Sequence, residues 1–96
     1  MVNTIWLISY SLCGDKDSLG SESIQLLPKG KINSLVNGTW VYSQGGHWWL
    51  TGKRLQMDDN DDIFIRNFDV TVRGNAATGK GGSPLAKIFC VRMTKR

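Results

Sequence analysis

The stretch 72–83, VRGNAATGKGGS, is the closest match in this chain to a motif with known chemistry. Gly74, four further residues and the pair Gly79-Lys80 fit the G-x-x-x-x-G-K part of a phosphate-binding loop, but Gly81 stands where the motif has Ser or Thr to hold magnesium. Such a loop also needs a helix and a parallel sheet behind it, and the fifteen residues after Gly81 cannot supply them. We therefore predict a glycine-rich connection between the longest strand and the last one, with Lys80 as a mobile surface charge.

The acidic segment 58–62, DDNDD, places side-chain oxygens at the first, third and fifth positions of a calcium loop. The sixth position of that motif requires glycine and is Ile63, and the twelfth requires glutamate and is Asp69. The segment is therefore more typical of a solvated hairpin tip than of a cation site.

His47 is the only histidine, and the two cysteines are not at metal-ligand spacing. The carboxylates lie in polar segments, without the apolar surroundings that raise the pKa of a catalytic acid. We therefore expect no metal, no cofactor and no enzymatic activity.

The aromatic residues give the strongest functional signal, with four tryptophans in 96 residues. Trp48 and Trp49 are adjacent in a β-rich run, so their side chains must point to opposite faces of a strand. An outward tryptophan beside arginines is typical of a patch that anchors a partner, although cross-strand aromatic pairs also stabilise the outer faces of hairpins. The predicted contact residues are Tyr42, His47, Trp48, Trp49, Arg54 and Arg66.

The elements that position these residues are predicted to be strands. Trp6, Ile8, Tyr10 and Leu12 alternate with smaller or polar residues, which is the period of a strand. Further β-rich runs cover residues 24–26, 32–36, 39–42, 47–51, 54–57, 63–73 and 85–93, and turn signals such as Asn37-Gly38 and Gly45-Gly46 separate them. The pattern predicts an all-β antiparallel meander of about six to eight strands, either a small barrel or a curled sandwich.

The two cysteines lie at the ends of this pattern. Cys13 follows the first predicted strand and Cys90 is in the last one, and a closed meander makes those strands neighbours. They form either a disulfide, which would favour an oxidising compartment, or two buried free thiols in a cytosolic protein.

Length and composition are those of one folded domain, residues 1–96, with 41% hydrophobic and 21% charged residues. No apolar run approaches the roughly 18 to 20 residues of a membrane helix. The net charge is +4, but the basic residues are scattered along the chain, which does not favour a nucleic-acid partner. We expect a periplasmic or secreted protein if a signal was removed before Met1, and a cytoplasmic one otherwise.

The order of these parts resembles the small lipocalin-like, or calycin-like, meander proteins of bacterial envelopes. The resemblance rests on IQLLPKGKI at 24–32, NGTW at 37–40, LTGKRLQM at 50–57 and FDVTVRGNAATGK at 68–80. Gly38-Thr39-Trp40 is similar to the family's G-x-W element, and Arg92 to the late arginine that packs over its tryptophan. The resemblance implies a barrel, although one this short is expected to be filled by side chains.

The sequence therefore predicts a non-enzymatic binding or interaction protein that uses an outer-face patch of aromatic residues and arginines. One alternative is a carrier of small apolar ligands with an interior pocket lined by Trp6, Trp40 and Phe68. Another is an inhibitor or immunity protein that blocks an enzyme. The partner is accordingly a protein or a small ligand.

Overall fold

The computed structural model describes residues 1–14, 20–59, 67–82 and 88–96. The strands are β1 (Thr4–Leu12), β2 (Gly20–Leu27), β3 (Lys31–Val36), β4 (Thr39–Ser43), β5 (Gly46–Thr51), β6 (Arg54–Asp59), β7 (Asn67–Arg73), β8 (Ala76–Gly82) and β9 (Ile88–Lys95). A 3₁₀ turn, Pro28–Gly30, joins β2 to β3. The predicted all-β class is confirmed.

All nine strands belong to one sheet, in the order β4-β3-β2-β1-β9-β8-β7-β6-β5. Every hydrogen-bonded pair is antiparallel and joins strands that are consecutive in sequence, apart from β1 with β9; β4 and β5 are consecutive but do not pair. The sheet is therefore an antiparallel meander that curls into a nearly closed barrel, with β4 and β5 as its two edges.

The two edge strands are halves of one bent strand. Eight antiparallel pairings separate β4 from β5, so the strand direction reverses an even number of times and both strands run the same way. The chain between Ser43 and Gly46 thus bends without turning back. The first half of this strand pairs with β3 and the second half with β6, which gives the connectivity of an eight-stranded up-and-down barrel.

Trp48 closes the gap between the edges of the sheet. Its indole Nε1 donates a hydrogen bond of 2.9 Å to the Leu27 carbonyl oxygen, across the seam from β5 to the end of β2. The backbones also approach closely there, because a Cβ atom at Gly30 would lie 2.8 Å from the Trp48 carbonyl oxygen. Gly30 has a φ of +70°, so glycine satisfies both the close approach and the left-handed backbone.

The barrel interior is filled by the alternating apolar side chains of the strands. Trp6 and Ile8 are fully buried, as the alternation in β1 predicts, and the Trp6 indole donates to the Thr4 hydroxyl at 2.9 Å. The core of the described residues comprises Trp6, Ile8, Ile24, Leu26, Ile32, Leu55, Met57, Phe68, Val70, Ala77, Phe89, Val91 and Met93.

The glycine-rich stretch differs from its predicted role as a connection. Residues 76–82 form β8, which pairs with β7 on one side and with β9 on the other. The turn itself is only Gly74-Asn75, with Gly74 at a φ of +62°, the geometry of a tight hairpin. Lys80 lies in a strand opposite Asp69, so its predicted place in a connection was wrong, although its side chain is exposed.

The acidic segment begins within a strand and not, as predicted, in a hairpin tip. Asp58 and Asp59 are the last residues of β6. The remainder of the calcium-like pattern up to Arg66, and the first residues of the long strand predicted at 63–73, lie outside the described residues.

A disulfide joins Cys13, just after β1, to Cys90 in β9, with the Cα atoms 5.0 Å apart. Ser11 pairs directly with Cys90, so the bridge crosses the two strands that return the meander on itself. Of the two alternatives that the sequence left open, the structure shows the disulfide. The two cysteines are 77 residues apart in sequence. A disulfide typically stabilises the folded state by about 2–4 kcal/mol.

Gly79 allows β7 and β8 to approach closely. A Cβ atom there would collide with the Asp69 carbonyl oxygen and lie 2.7 Å from the Val70 Cα, and neither backbone atom can move without breaking the ladder. We predict that Gly79→Ala lowers the free energy of unfolding by about 3 kcal/mol or more. Urea unfolding followed by circular dichroism measures this loss.

The matched control is Gly82→Ala in the same strand. Its Cβ would lie 3.0 Å from the Asn67 side-chain oxygen, which can rotate away. The expected change is below about 1 kcal/mol. Equal losses in the two variants would contradict the close packing at Gly79.

Candidate functional site

The two adjacent tryptophans face opposite sides of β5, as predicted. Trp48 is half-buried and packs against the core, whereas the Trp49 side chain is 46% exposed on the outer face. Trp48 therefore lies at the barrel seam and is not part of an outer-face contact patch.

The outward indole of Trp49 is fixed by its cross-strand neighbour. Trp49 pairs with Gln56 in the ladder, and its Nε1 donates a hydrogen bond of 2.8 Å to Gln56 Oε1. Because this bond occupies the polar edge of the ring, the surface that Trp49 offers to a ligand is mainly its apolar face.

Strand register brings two rows of side chains beside Trp49 on the outer face. Opposed residues of β5 to β8 form the first row, which contains Trp49, Gln56, Asp69 and Lys80. The second row, two residues further along, contains Asp58, Asn67 and Gly82. Together the rows line an open groove of about 580 Å³, within the range of small-ligand sites.

The groove results from unequal side chains on a continuous sheet. Trp49 rises from β5 at one side, while Gly82 on β8 has no side chain. A Cβ at Gly82 would lie 3.0 Å from the Asn67 side-chain oxygen, so glycine leaves room for that amide. The depression therefore lies between the indole and the glycine end of β8.

Arg54 holds Asp69 at the edge of the groove. Its Nε donates to both carboxylate oxygens of Asp69 at 3.0 Å, and its Nη2 donates to Oδ2. The hydrogen bond from Arg54 lowers the pKa of Asp69 below its ordinary value, and the same bond raises the pKa of Arg54. Asp69 is thus a fixed carboxylate near neutral pH.

Two further predicted contact residues fall in different places. His47 is exposed on β5 and pairs with Asp58, at the end of the second row. Tyr42 is exposed on β4, at the opposite edge of the sheet from the groove strands. Arg66 lies outside the described residues.

The residues predicted to line an interior pocket do not share one interior. Trp6 and Phe68 are buried in the core, but Trp40 is 38% exposed and pairs with Leu35 on the outer face of β3 and β4. That face is outward because Ser34, the neighbour of Leu35, pairs with the buried Ile24. The interpretation of Trp40 as a pocket residue was wrong.

The expected contact between Trp40 and Arg92 is also absent. Arg92 is exposed in β9, where it pairs with Ser9 and Thr78. Three strands, β3, β2 and β1, separate β9 from β4. The similarity to the G-x-W element therefore stops at residue type.

Five polar groove residues were not predicted as site residues: Gln56, Asp58, Asn67, Asp69 and Lys80. They belong to three strands and meet only through the register of the ladder. The sequence contained one signal for them. Asn67 and Asp69 alternate with the apolar Phe68 and Val70, which indicates that the two polar side chains face outward from their strand.

Neither a metal-binding cluster nor a membrane-spanning helix occurs in the described residues. Among residues 1–14, 20–59, 67–82 and 88–96, no group of three or more His, Cys, Asp or Glu side chains could hold a metal ion. Within these ranges there is also no helix long and apolar enough to cross a membrane.

In comparisons with known proteins, no family model, no curated protein and no solved structure matched this chain. The likeness to lipocalin-like proteins therefore rests on the antiparallel, nearly closed barrel alone.

The ion pair between Arg54 and Asp69 makes the free energy of unfolding depend on pH in a definite direction. The pKa of Asp69 is lower in the folded state, so the stability it contributes is present above its ordinary value of 3.8 and is lost as the pH falls through the folded value. We expect the stability difference between the wild type and Asp69→Asn to be constant near neutrality and to shrink in acid. Urea unfolding at a series of pH values measures it.

An Arg54→Gln background is the control for this pH series. Without the guanidinium, the Asp69→Asn effect should be smaller at neutral pH and should change less in acid. A difference that grows as the pH falls, or is unaffected by Arg54→Gln, would contradict the assignment.

Proposed function

We propose that this chain is a non-enzymatic binding protein that holds its ligand in the outer-face groove of β5 to β8. The observation that supports this most directly is Trp49, a large apolar side chain that is nearly half exposed yet fixed by Gln56. An exposed, ordered tryptophan at the wall of a groove that also carries polar side chains is typical of a binding surface.

The groove is organised before any ligand arrives. The bond from Trp49 to Gln56 fixes the indole, and the bidentate contact from Arg54 fixes the Asp69 carboxylate. Both contacts lie on paired strands rather than on loops, so little side-chain freedom remains to be lost on binding. In this proposal Arg54 acts by positioning Asp69.

The disulfide supports a location in an oxidising compartment, such as the periplasm or the extracellular space. Cys13–Cys90 links the end of β1 to β9, the first and last strands of the chain. The fold is also compatible with a lipocalin-like envelope protein, although the ligand in our proposal lies outside the barrel.

A second candidate function is contact with a protein, as in an inhibitor or immunity protein. The hairpin of β3 and β4 exposes an unusual number of large apolar side chains, namely Leu35, Val36, Trp40, Val41 and Tyr42. Such a surface is typical of a protein interface. It lies at the other edge of the sheet from the groove strands, so the two functions can be tested separately.

The four indole N–H groups report on four separate places. Trp6 lies in the core, Trp48 at the seam, Trp49 at the groove and Trp40 on the exposed hairpin. We predict that binding of small polar compounds shifts the nitrogen and proton resonances of the Trp49 indole and leaves that of Trp6 unchanged. Heteronuclear NMR measures the shifts, with each signal assigned through a Trp→Phe variant.

Other patterns of shifts would point to other functions. A ligand that moves the Trp6 signal would indicate an interior carrier. A partner that moves only the Trp40 signal would indicate the hairpin interface. Either result, without a response at Trp49, would contradict the groove as the binding site.

A further inference from the structure

We infer that the groove binds a neutral saccharide chain; this inference rests on the proposed function and adds the chemical class of the ligand. The wall and floor of the groove combine one apolar plane, the face of Trp49, with carboxylate, amide and amine groups on the adjacent rows. A sugar ring has the matching surfaces, since its C–H face is apolar and its rim carries hydroxyls.

The charges in the groove argue against a charged ligand. Asp58 and Asp69 are carboxylates, and Lys80 is an amine on the same outer face. Arg54 already pairs with Asp69. An anion would meet two carboxylates against one amine. A cation would meet that amine, and one of the two carboxylates, Asp69, already has Arg54 as its partner. A ligand without net charge avoids this conflict.

The hydrogen-bonding groups argue against a purely apolar ligand. Asp58 only accepts hydrogen bonds, Lys80 only donates them, and the amide of Asn67 does both. An aliphatic chain would strip water from these groups and leave them without partners, at a cost in free energy. A hydroxyl both donates and accepts, so several hydroxyls on a rigid ring can satisfy all three residues.

The shape of the groove favours a chain over a single ring. The row from Trp49 to Lys80 crosses four neighbouring strands, which corresponds to about 14 Å at the usual spacing of strands. That length exceeds one pyranose ring. The groove is also open on the outer face of the barrel, so a polymer can enter along its side.

The test is an NMR titration of the whole chain with four named tetrasaccharides: cellotetraose, maltotetraose, xylotetraose and N-acetylchitotetraose. We expect at least one of them to shift the Trp49 indole signal saturably. Trp49→Ala should weaken this binding by about tenfold or more, because the stacking surface is lost, and Trp49→Phe should lose less. Lys80→Ala should also weaken it.

Trp40→Ala is the matched control, since it removes an exposed tryptophan that does not line the groove. It should leave the affinity unchanged, and circular dichroism should show that all variants are folded. Equal weakening by Trp40→Ala and Trp49→Ala would overturn the assignment to the groove.

Three probes that are not saccharide chains separate the failure of this inference from that of the proposed function. These are adenosine monophosphate, octanoate and tetra-alanine. A response of Trp49 to one of these, with none to any tetrasaccharide, would overturn the saccharide inference and leave a groove that binds another class of ligand. No response of Trp49 to any probe would overturn both.

Discussion

The hydrogen bond from the Trp48 indole to the Leu27 carbonyl oxygen joins β5, at one edge of the sheet, to the end of β2 across the seam of the barrel. Nine strands pair through eight antiparallel ladders, but β4 and β5 do not pair with each other. The seam must therefore be closed by a side chain, and Trp48 is long enough to cover the gap and polar enough to satisfy a carbonyl. Gly30 allows the backbones to come close enough for this contact.

The same strand that closes the barrel also builds the binding groove. Side chains alternate along β5, so the inward position of Trp48 requires Trp49 to point outward. Once outward, Trp49 lies above β6, and the register places Gln56 beneath it and Asp69 and Lys80 beyond. The structural role of one tryptophan thus determines the functional position of the other.

The local patterns of the sequence were sufficient to predict most of the strands and turns. The alternation around Trp6 and Ile8 predicted β1, and Asn37-Gly38 predicted a tight hairpin, where both residues have positive φ. The closed meander predicted that Cys13 and Cys90 would meet. Each of these features depends on a short segment or on the order of the strands.

The features that could not be predicted depend on long-range pairing. Glycine has a low preference for strands, so residues 76–82 gave no strand signal; β8 forms because β7 and β9 pair with both of its sides. The register of β3 and β4 places Trp40 on the outer face, and no turn residue reveals that the chain continues in the same direction from β4 into β5. The groove requires the register of four strands, which one sequence does not specify.

The division of roles between Trp48 and Trp49 is the central claim, and hydrogen exchange of their indole Nε1–H groups tests it most directly. In the free protein the Trp48 proton should exchange slowly, because it is bonded to Leu27 within the seam. The Trp49 proton should exchange fast, because its bond to Gln56 is exposed to water. Protection of Trp49 equal to or greater than that of Trp48 would contradict the account.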